Sequence, residues 1–506
     1  MHPNPEESTM PRTPLAVALA AGLAGSAVAA EAPVQSLTVY SSAAPGALSV
    51  AALANYGIGL PGYALVRDQR RMPIERGRSE VRFTDVARRI DPTTVSFASA
   101  TDPGGTRVLE QNFQFDLVDQ QKLIERFIGT RITVLQQRGE ELARIEGTLL
   151  SASGGLILAR DNGEVVTLTN WQSVEFPNLP GGLITRPTLV WALDAARGGE
   201  HDVQVSYQTQ GMTWWSDYNI TLAGSANDCR MDLAAWVTVV NQSGGTYTGA
   251  QLKLVAGEVN RAPAAPAPQV AYRMAATAES VVADGFQESQ LFEYHLYTLG
   301  RRTDLPDNSI KQLELFPAAI GVPCKRELVF TASPTPWTYW GAPIVDQGYG
   351  ATQQGTVGAF LEFDNKEAGG LGVPLPAGRI RVNQANQADG SLEFIGEDLI
   401  RHTPRNETVR VKLGNAFDVV GERRQIDFRY DEAGKFIEET FELSIRNRKR
   451  EPARVTAREY LYRWSKWTIV RASHAHDKRD AATLDFPLTI AADGEAKVTY
   501  TVRYSW

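Results

Sequence analysis

The stretch GMTWWSDYNITL, residues 211–222, sets two tryptophans side by side. Successive side chains of an extended strand point to opposite faces, so neighbouring tryptophans of a strand cannot share one surface. The even positions carry Met212, Trp214, Tyr218, Ile220 and Leu222, and the odd ones Thr213, Trp215, Asp217, Asn219 and Thr221. This alternation predicts a strand with Trp214 in the core and Trp215 on a polar face. There Trp215 is expected to be covered by another part of the chain or to serve, with Asp217, as a ligand platform. The run before it has the opposite phase, with Val203, Val205 and Tyr207 apolar between glutamines and Ser206. A change of parity between two strands requires a bulge or a tight corner, and Gly211 is placed to make it.

Working outward, short alternating runs punctuated by Gly, Pro, Asn and Asp dominate the chain. Residues 63–72 and 79–83 read as strands joined by a turn at Gly77, and IDPTTVSFAS (90–99) as a third. Near Leu117 the pattern changes: Leu123, Ile124, Phe127 and Ile128 fall at helical spacing and predict a short helix. Five short strands follow, with Asp161-Asn162-Gly163 as a tight-turn signal. A helix and five strands in this span resemble an Sm-like or SH3-like barrel, read here as a spacer or interaction module. Farther on, LPDNS, DNKEAGG, QADGS and AADGE mark turns of the kind that space the strands of β-sandwiches. REYLYRWSKW places Tyr460, Tyr462 and Trp464 on one face of a strand, as core or as a sugar-stacking row. Glu293 and His295 are read as sharing a strand face among aromatics, which makes Glu293 a candidate general acid.

The chain has 506 residues, which at about 150 per domain means several domains. The predicted fold class is mainly β and multidomain: β-sandwich regions with an inserted small Sm/SH3-like barrel. The boundaries are a signal peptide at 1–30, an N-terminal β segment at 31–115, the barrel at 116–180, a β domain at 181–260, an Ala/Pro-rich loop at 261–290 and a C-terminal β-sandwich region at 291–506. Hydrophobic content of 43% and charged content of 22% are those of a globular protein. The net charge of -7 provides no polybasic field and argues against nucleic acid or anionic lipid as the main partner.

Residues 14–25 form an apolar run ahead of Ala27, Ala29 and Ala30, the layout of a secretory signal peptide cut near Ala30, with Met10 as the start. The expected location is therefore periplasmic or secreted, with no transmembrane anchor after cleavage. In that compartment Cys229 and Cys324 could join as a disulfide; the alternative is two buried free thiols.

Several stretches together resemble the bacterial domain-of-unknown-function 4139 family: YALVRDQRRMPIERGRSEVRFTDV, GMTWWSDYNI, VTVVNQSGGTYTGAQLKLVAGEVNR, LPAGRIRVNQANQADGSLEFIGEDLIRHTPRNETVRVKLG, IRNRKREPARVTAREYL and FPLTIAADGEAKVTYTVRYSW. The resemblance runs from about Tyr63 to the C-terminus. It implies an exported, β-rich envelope protein and brings no catalytic residues with it. Mucoidy-inhibitor-like relatives carry a long coiled coil where this chain has the small barrel, so a role that depends on the coiled coil does not transfer.

Standard catalytic motifs are not found, and GIGLPG (57–62) lacks the βαβ context of a dinucleotide site. Beside Trp215 and Asp217, the candidate ligand contacts are Trp337, Tyr339 and Trp340, in a segment too rich in proline for a central strand. His474 and His476 share a face if extended and, with Asp477, form a candidate metal pair lacking a third ligand. The basic run IRNRKRE reads as a solvated hairpin tip. No cofactor is implied. The expected function is non-catalytic binding or scaffolding in the cell envelope, with an envelope protein or glycan as partner. An envelope hydrolase acting on polysaccharide or peptidoglycan is the alternative.

Overall fold

Gly211 is the corner that the change of parity requires. Its φ of 81° lies in the left-handed region, and a Cβ there would sit 2.6 Å from the carbonyl oxygen of Gln242. Before it Val203, Val205 and Tyr207 are buried; after it Met212, Trp214, Tyr218, Ile220 and Leu222 are. The two runs belong to different sheets, so the chain passes from one layer of a sandwich to the other at this residue.

The computed structural model describes residues 34–41, 46, 48–51, 53, 59–114, 120–139, 141–178, 184–224, 228–257, 259, 285–334, 341–386 and 388–506. The signal-peptide reading, most of the Ala/Pro-rich loop, and Trp337, Tyr339 and Trp340 lie outside them.

In chain order the strands are β1 (Val34–Tyr40), β2 (Tyr63–Ile74), β3 (Gly77–Thr84), β4 (Ile90–Ser99) and β5 (Thr106–Gln114). Helix α1 (Gln120–Arg126) then opens the small barrel of β6 (Arg131–Arg138), β7 (Glu141–Ser151), β8 (Leu156–Ala159), β9 (Val165–Leu168) and β10 (Ser173–Glu175). Next come β11 (Thr188–Ala195), β12 (Gly199–Gln210), β13 (Met212–Gly224), β14 (Cys229–Asn241), β15 (Tyr247–Ala256), β16 (Phe286–Leu291), β17 (Tyr294–Leu299), β18 (Thr303–Leu305) and β19 (Ser309–Pro323). The remainder is β20 (Lys325–Thr331), β21 (Thr352–Asp364), β22 (Gly378–Ala385), β23 (Leu392–Ile400), β24 (Thr408–Asn415), β25 (Val419–Asp431), β26 (Phe436–Asn447), β27 (Ala453–Tyr460), β28 (Trp467–Ala472), β29 (Asp477–Lys478), β30 (Thr483–Ile490) and β31 (Glu495–Ser505). The molecule is thus mainly β, with sandwich regions and an inserted barrel whose strand order is β10-β6-β7-β8-β9. Ile124 and Phe127 of the helical turn plug a core of Ile132, Val134, Ile145, Leu149 and Leu158. The barrel lies in the chain between β5 and β11, which themselves pair.

Two sandwiches of one topology make up the rest. In the first, β1 pairs antiparallel with β2 and parallel with β15, β2 with β12, β13 with β14, β14 with β19, and β15 with β18. In the second, β20 pairs antiparallel with β21 and parallel with β27, β21 with β24, β25 with β26, β26 with β31, and β27 with β30. Strand for strand the pairings repeat in the same chain order.

A buried asparagine ends the corresponding strand in each copy. Asn241 Nδ2 donates to the carbonyls of Gly245, Leu305 and Pro306, and its Oδ1 accepts from the Ser243 N–H. Asn447 Nδ2 donates to Glu451, Ile490 and Ala491, and its Oδ1 accepts from the Lys449 N–H. Each side chain satisfies the backbone groups that a strand releases where it turns from one sheet to the other.

Each copy carries an insertion between its second and third strands. In the first it is the stretch from β3 to β11, barrel included; in the second it is the hairpin β22–β23, which crosses over and adds to the first sandwich. There β22 lies parallel to β13. Gly378 permits the approach, since a Cβ at that position would come within 2.3 Å of the Ser216 carbonyl oxygen. The two sandwiches therefore share part of their interior, a core in which Ile380, Val382, Leu361, Phe363 and Val411 pack with Trp214, Tyr218 and Leu252, while Phe330, Val357, Phe441, Leu443 and Tyr500 belong to a separate core of the second sandwich.

Three local expectations need correction. β16 begins at Phe286, inside the stretch read as a loop to 290, because it finds β17 as a hairpin partner. Glu293 is exposed in the turn of that hairpin rather than on a strand face, since Phe292, at φ 58°, ends the extended run. The strand read through REYLYRWSKW stops at Tyr460, and Leu461, Tyr462 and Arg463 are all buried without alternation.

Candidate functional site

The outer face of the five-stranded sheet β19-β14-β13-β22-β23 carries the aromatic and charged residues that alternation predicts there. Trp214 is 3% exposed and lies in the shared core. Trp215 stands on the opposite face, half-buried against Leu48, Leu53, Leu60 and Val240, so that part of the face is roofed by the segment between β1 and β2. Its indole N–H donates to Asp217 Oδ2 at 2.7 Å. The other carboxylate oxygen of Asp217 receives Arg381 at 3.2 Å, and Arg381 in turn meets Glu397 at 3.5 Å. Arg379 lies 3.8 Å from the same glutamate and donates to the Gly46 carbonyl at 3.2 Å.

Beside this chain of charge stands Trp236. Register places it between Asp217 on β13 and Glu314 on β19, and it is 38% exposed. Parity in DLAAWVTVV would have identified it: Leu233, Ala235, Val237 and Val239 point inward and are buried, so Trp236 must point outward. A flat indole flanked by carboxylates and guanidinium groups can stack on an apolar ring face while hydrogen-bonding its polar edge.

The other sequence candidates lie elsewhere. His474 Nδ1 is paired with Ser473 Oγ at 2.9 Å, the His476 ring rests 5.7 Å from that of Phe486, and Asp477 lies in the short edge strand β29. No group of three or more metal-ligating side chains occurs among the described residues. His295 pairs with Glu288 at 2.7 Å on an exposed hairpin. Cys229 and Cys324 are joined as a disulfide, tying the start of β14 to the single residue between β19 and β20.

A second concentration of polar chemistry is buried in the second sandwich, where of its members only Tyr462 is singled out by the sequence pattern. Arg423 Nε meets Glu459 at 2.8 Å and Arg463 Nε meets Glu439 at 2.7 Å, all four residues being fully buried. Arg423 lies 3.5 Å from the Phe441 ring centroid. The remaining Arg463 nitrogens donate to the carbonyls of Ile344, Asp346 and Tyr349, which strap residues 344–349 across the sandwich. Burial opposes the charge of Arg423, yet the neighbouring Glu459 carboxylate raises its pKa well above the usual value. Burial raises the phenols of Tyr500 and Tyr504 and pushes Tyr462 up to about 12. Each charge here has an ion-pair partner, although Arg423 Nη2, Glu459 Oε1 and the Tyr504 hydroxyl are buried without a hydrogen-bond partner among the described residues.

Open hollows occur on the surface of the described residues. One of about 410 Å³ is lined by Cys324, Lys325, Glu362, Asp364 and Lys366. Asp364 accepts from Lys366 and Thr408, both at 2.7 Å, and these bonds hold its carboxyl below the usual range. In comparisons with known proteins, no family model matches the chain and no curated protein matches it.

Proposed function

We propose that the protein is an exported cell-envelope component that binds or scaffolds without catalysis, and that its ligand contacts lie on the outer face around Trp236, Asp217, Arg379 and Arg381. The resemblance to the domain-of-unknown-function 4139 family points to the same class of protein. The observation that carries the reading is the partly exposed Trp236, set on the outer sheet face beside a linked row of charges whose neighbour Trp215 is roofed. A flat aromatic surface with a polar surround suits a sugar ring or a planar protein epitope. A glycosidase would instead need two carboxyl groups facing one cleft, one of them with a raised pKa. In the hollow beside the disulfide the relevant carboxyl is lowered and held by Lys366 and Thr408.

The test is an envelope-glycan array and a pull-down from envelope extracts, each run with wild type, Trp236→Ala and Trp215→Ala. The reading expects Trp236→Ala to abolish the strongest signal in one of the two assays. Full retention by that variant would contradict it.

A further inference from the structure

The end of the second sandwich at which β24 turns into β25 presents a phenylalanine to solvent. Phe417, in the three-residue link Ala416–Asp418, is 95% exposed. A side chain so exposed has almost none of its surface covered by the described residues. Val420, just beyond, is 41% exposed. The hairpin β22–β23 runs toward the same end. Asp398 accepts the Lys412 N–H at 2.7 Å and Gly396 lies against Leu413, so β23 passes β24 in the opposite direction. That direction carries Phe394 and Leu392, 59% and 60% exposed, toward the 416–418 turn. The exposed apolar side chains at the start of β23 thus lie on the strand end directed toward the Phe417 turn.

The basic run at the Asn447 corner adjoins them, since the Arg448 N–H donates to the Asp418 carbonyl at 2.7 Å. Arg448 pairs with Asp493 at 3.0 Å, whereas Lys449 and Arg450 have no ion-pair partner among the described residues. Asp418, Glu451 and Glu495 are the other acids of this corner, Glu495 being held by the Ser444 hydroxyl beside Arg446 and Arg448. The overall charge of -7 does not decide the matter, because charges farther than about 8 Å from a headgroup are largely screened at physiological ionic strength.

We propose that this end is a phospholipid-contact tip, in which Phe417 enters the interfacial layer of a bilayer while Lys449 and Arg450 rest against headgroup phosphates. An interfacial layer takes up a projecting aromatic ring without a preformed pocket, and basic side chains near an anionic surface add to the attraction. One such tip gives reversible attachment, with no spanning segment required. The proposal does not depend on the ligand face around Trp236.

The test is flotation of the processed chain, its amino terminus read by sequencing, with phosphatidylglycerol-containing vesicles and with phosphatidylcholine vesicles. Wild type is expected to float more with the anionic vesicles. F417S should reduce the bound-to-free ratio about tenfold, the scale set by burying one aromatic side chain. K449E/R450E should remove the difference between the two vesicle types. Both variants should keep the wild-type melting temperature and the binding attributed to Trp236. Failure of wild type to float, or flotation of F417S equal to wild type, would overturn the proposal. So would capture of an envelope protein through Phe417 without any vesicle binding.

Discussion

The two sandwiches share their strand pairings and their asparagine corners but differ in how they close one end and in what they bury. At the start of β14 and the end of β19 the first copy has the Cys229–Cys324 disulfide, with the Cys324 N–H donating to the Cys229 carbonyl at 3.1 Å. At the matching place in the second, the Trp506 N–H donates to the Lys435 carbonyl at 3.2 Å with no covalent link. The first copy's interior is aliphatic and aromatic, with Asp68 buried beside Arg70, which is 20% exposed. The second copy buries two complete ion pairs. The pairing scheme and its corners therefore tolerate very different interiors; what recurs is the satisfaction of backbone groups where strands change sheet.

Substitutions can break this comparison or sharpen it. The largest effect is expected from Arg423→Met, which leaves Glu459 buried without its cation and should cost about 3–5 kcal/mol in chemical denaturation. Adding Glu459→Leu should recover part of the loss, the remainder being the buried Tyr500 hydroxyl and Gly350 carbonyl left without Glu459 and Arg423; no recovery at all would contradict the account. Replacing both cysteines by serine should cost about 2–4 kcal/mol, because the bridge closes a sequence separation of 95 residues. Asn241→Ala and Asn447→Ala should each cost about 2–3 kcal/mol by stranding several buried backbone groups, and a large inequality between them would show that the corners are not equivalent.

Alkaline pH acts on both copies. Burial raises the pKa of Tyr207, Tyr218, Tyr247 and Tyr297 in the first and of Tyr462, Tyr500 and Tyr504 in the second. Above the ordinary value of about 10 the unfolded chain loses these protons while the folded one keeps them, so stability must fall as pH rises. Each group contributes up to about 1.4 kcal/mol per pH unit, until the folded value is reached. Tyr247 and Tyr462, pushed up to about 12, should cease to add to the slope near that pH. Circular dichroism and tyrosinate absorbance followed together would check this, and stability unchanged from pH 9 to 11 would contradict it. The smallest effect is on Trp236→Ala, which should change stability by no more than about 0.5 kcal/mol because the residue stands on the surface.

Strand alternation made much of this legible. It placed Trp214 inside and Trp215 outside, required the corner at Gly211, and located β4 at Ile90–Ser99 to the residue. The duplicated topology was not legible, because it resides in pairings between distant strands and the two copies share little besides Asn241 and Asn447 at matching offsets. The crossover of β22 was hidden for the same reason: nothing in GRIRVNQA names the strand beside which it will lie. The buried Arg423, Glu459, Arg463 and Glu439 read as surface residues because charge ordinarily marks solvent, and only their mutual pairing lets them sit inside. Trp236 obeys the same parity as Trp215: it stands between the inward-facing Ala235 and Val237, so its outward position is legible in DLAAWVTVV.

The central structural claim is that the second copy's hairpin belongs to the first copy's sheet and joins the two into one cooperative unit. Native-state hydrogen exchange in rising denaturant, resolved by strand, tests it most directly. The account predicts that amides of β22 exchange in step with those of β13 and β14, and remain protected when β28 and β29 at the far sheet edges have opened. Exchange of β22 at the rate of exposed turns, while β13 stays protected, would contradict it.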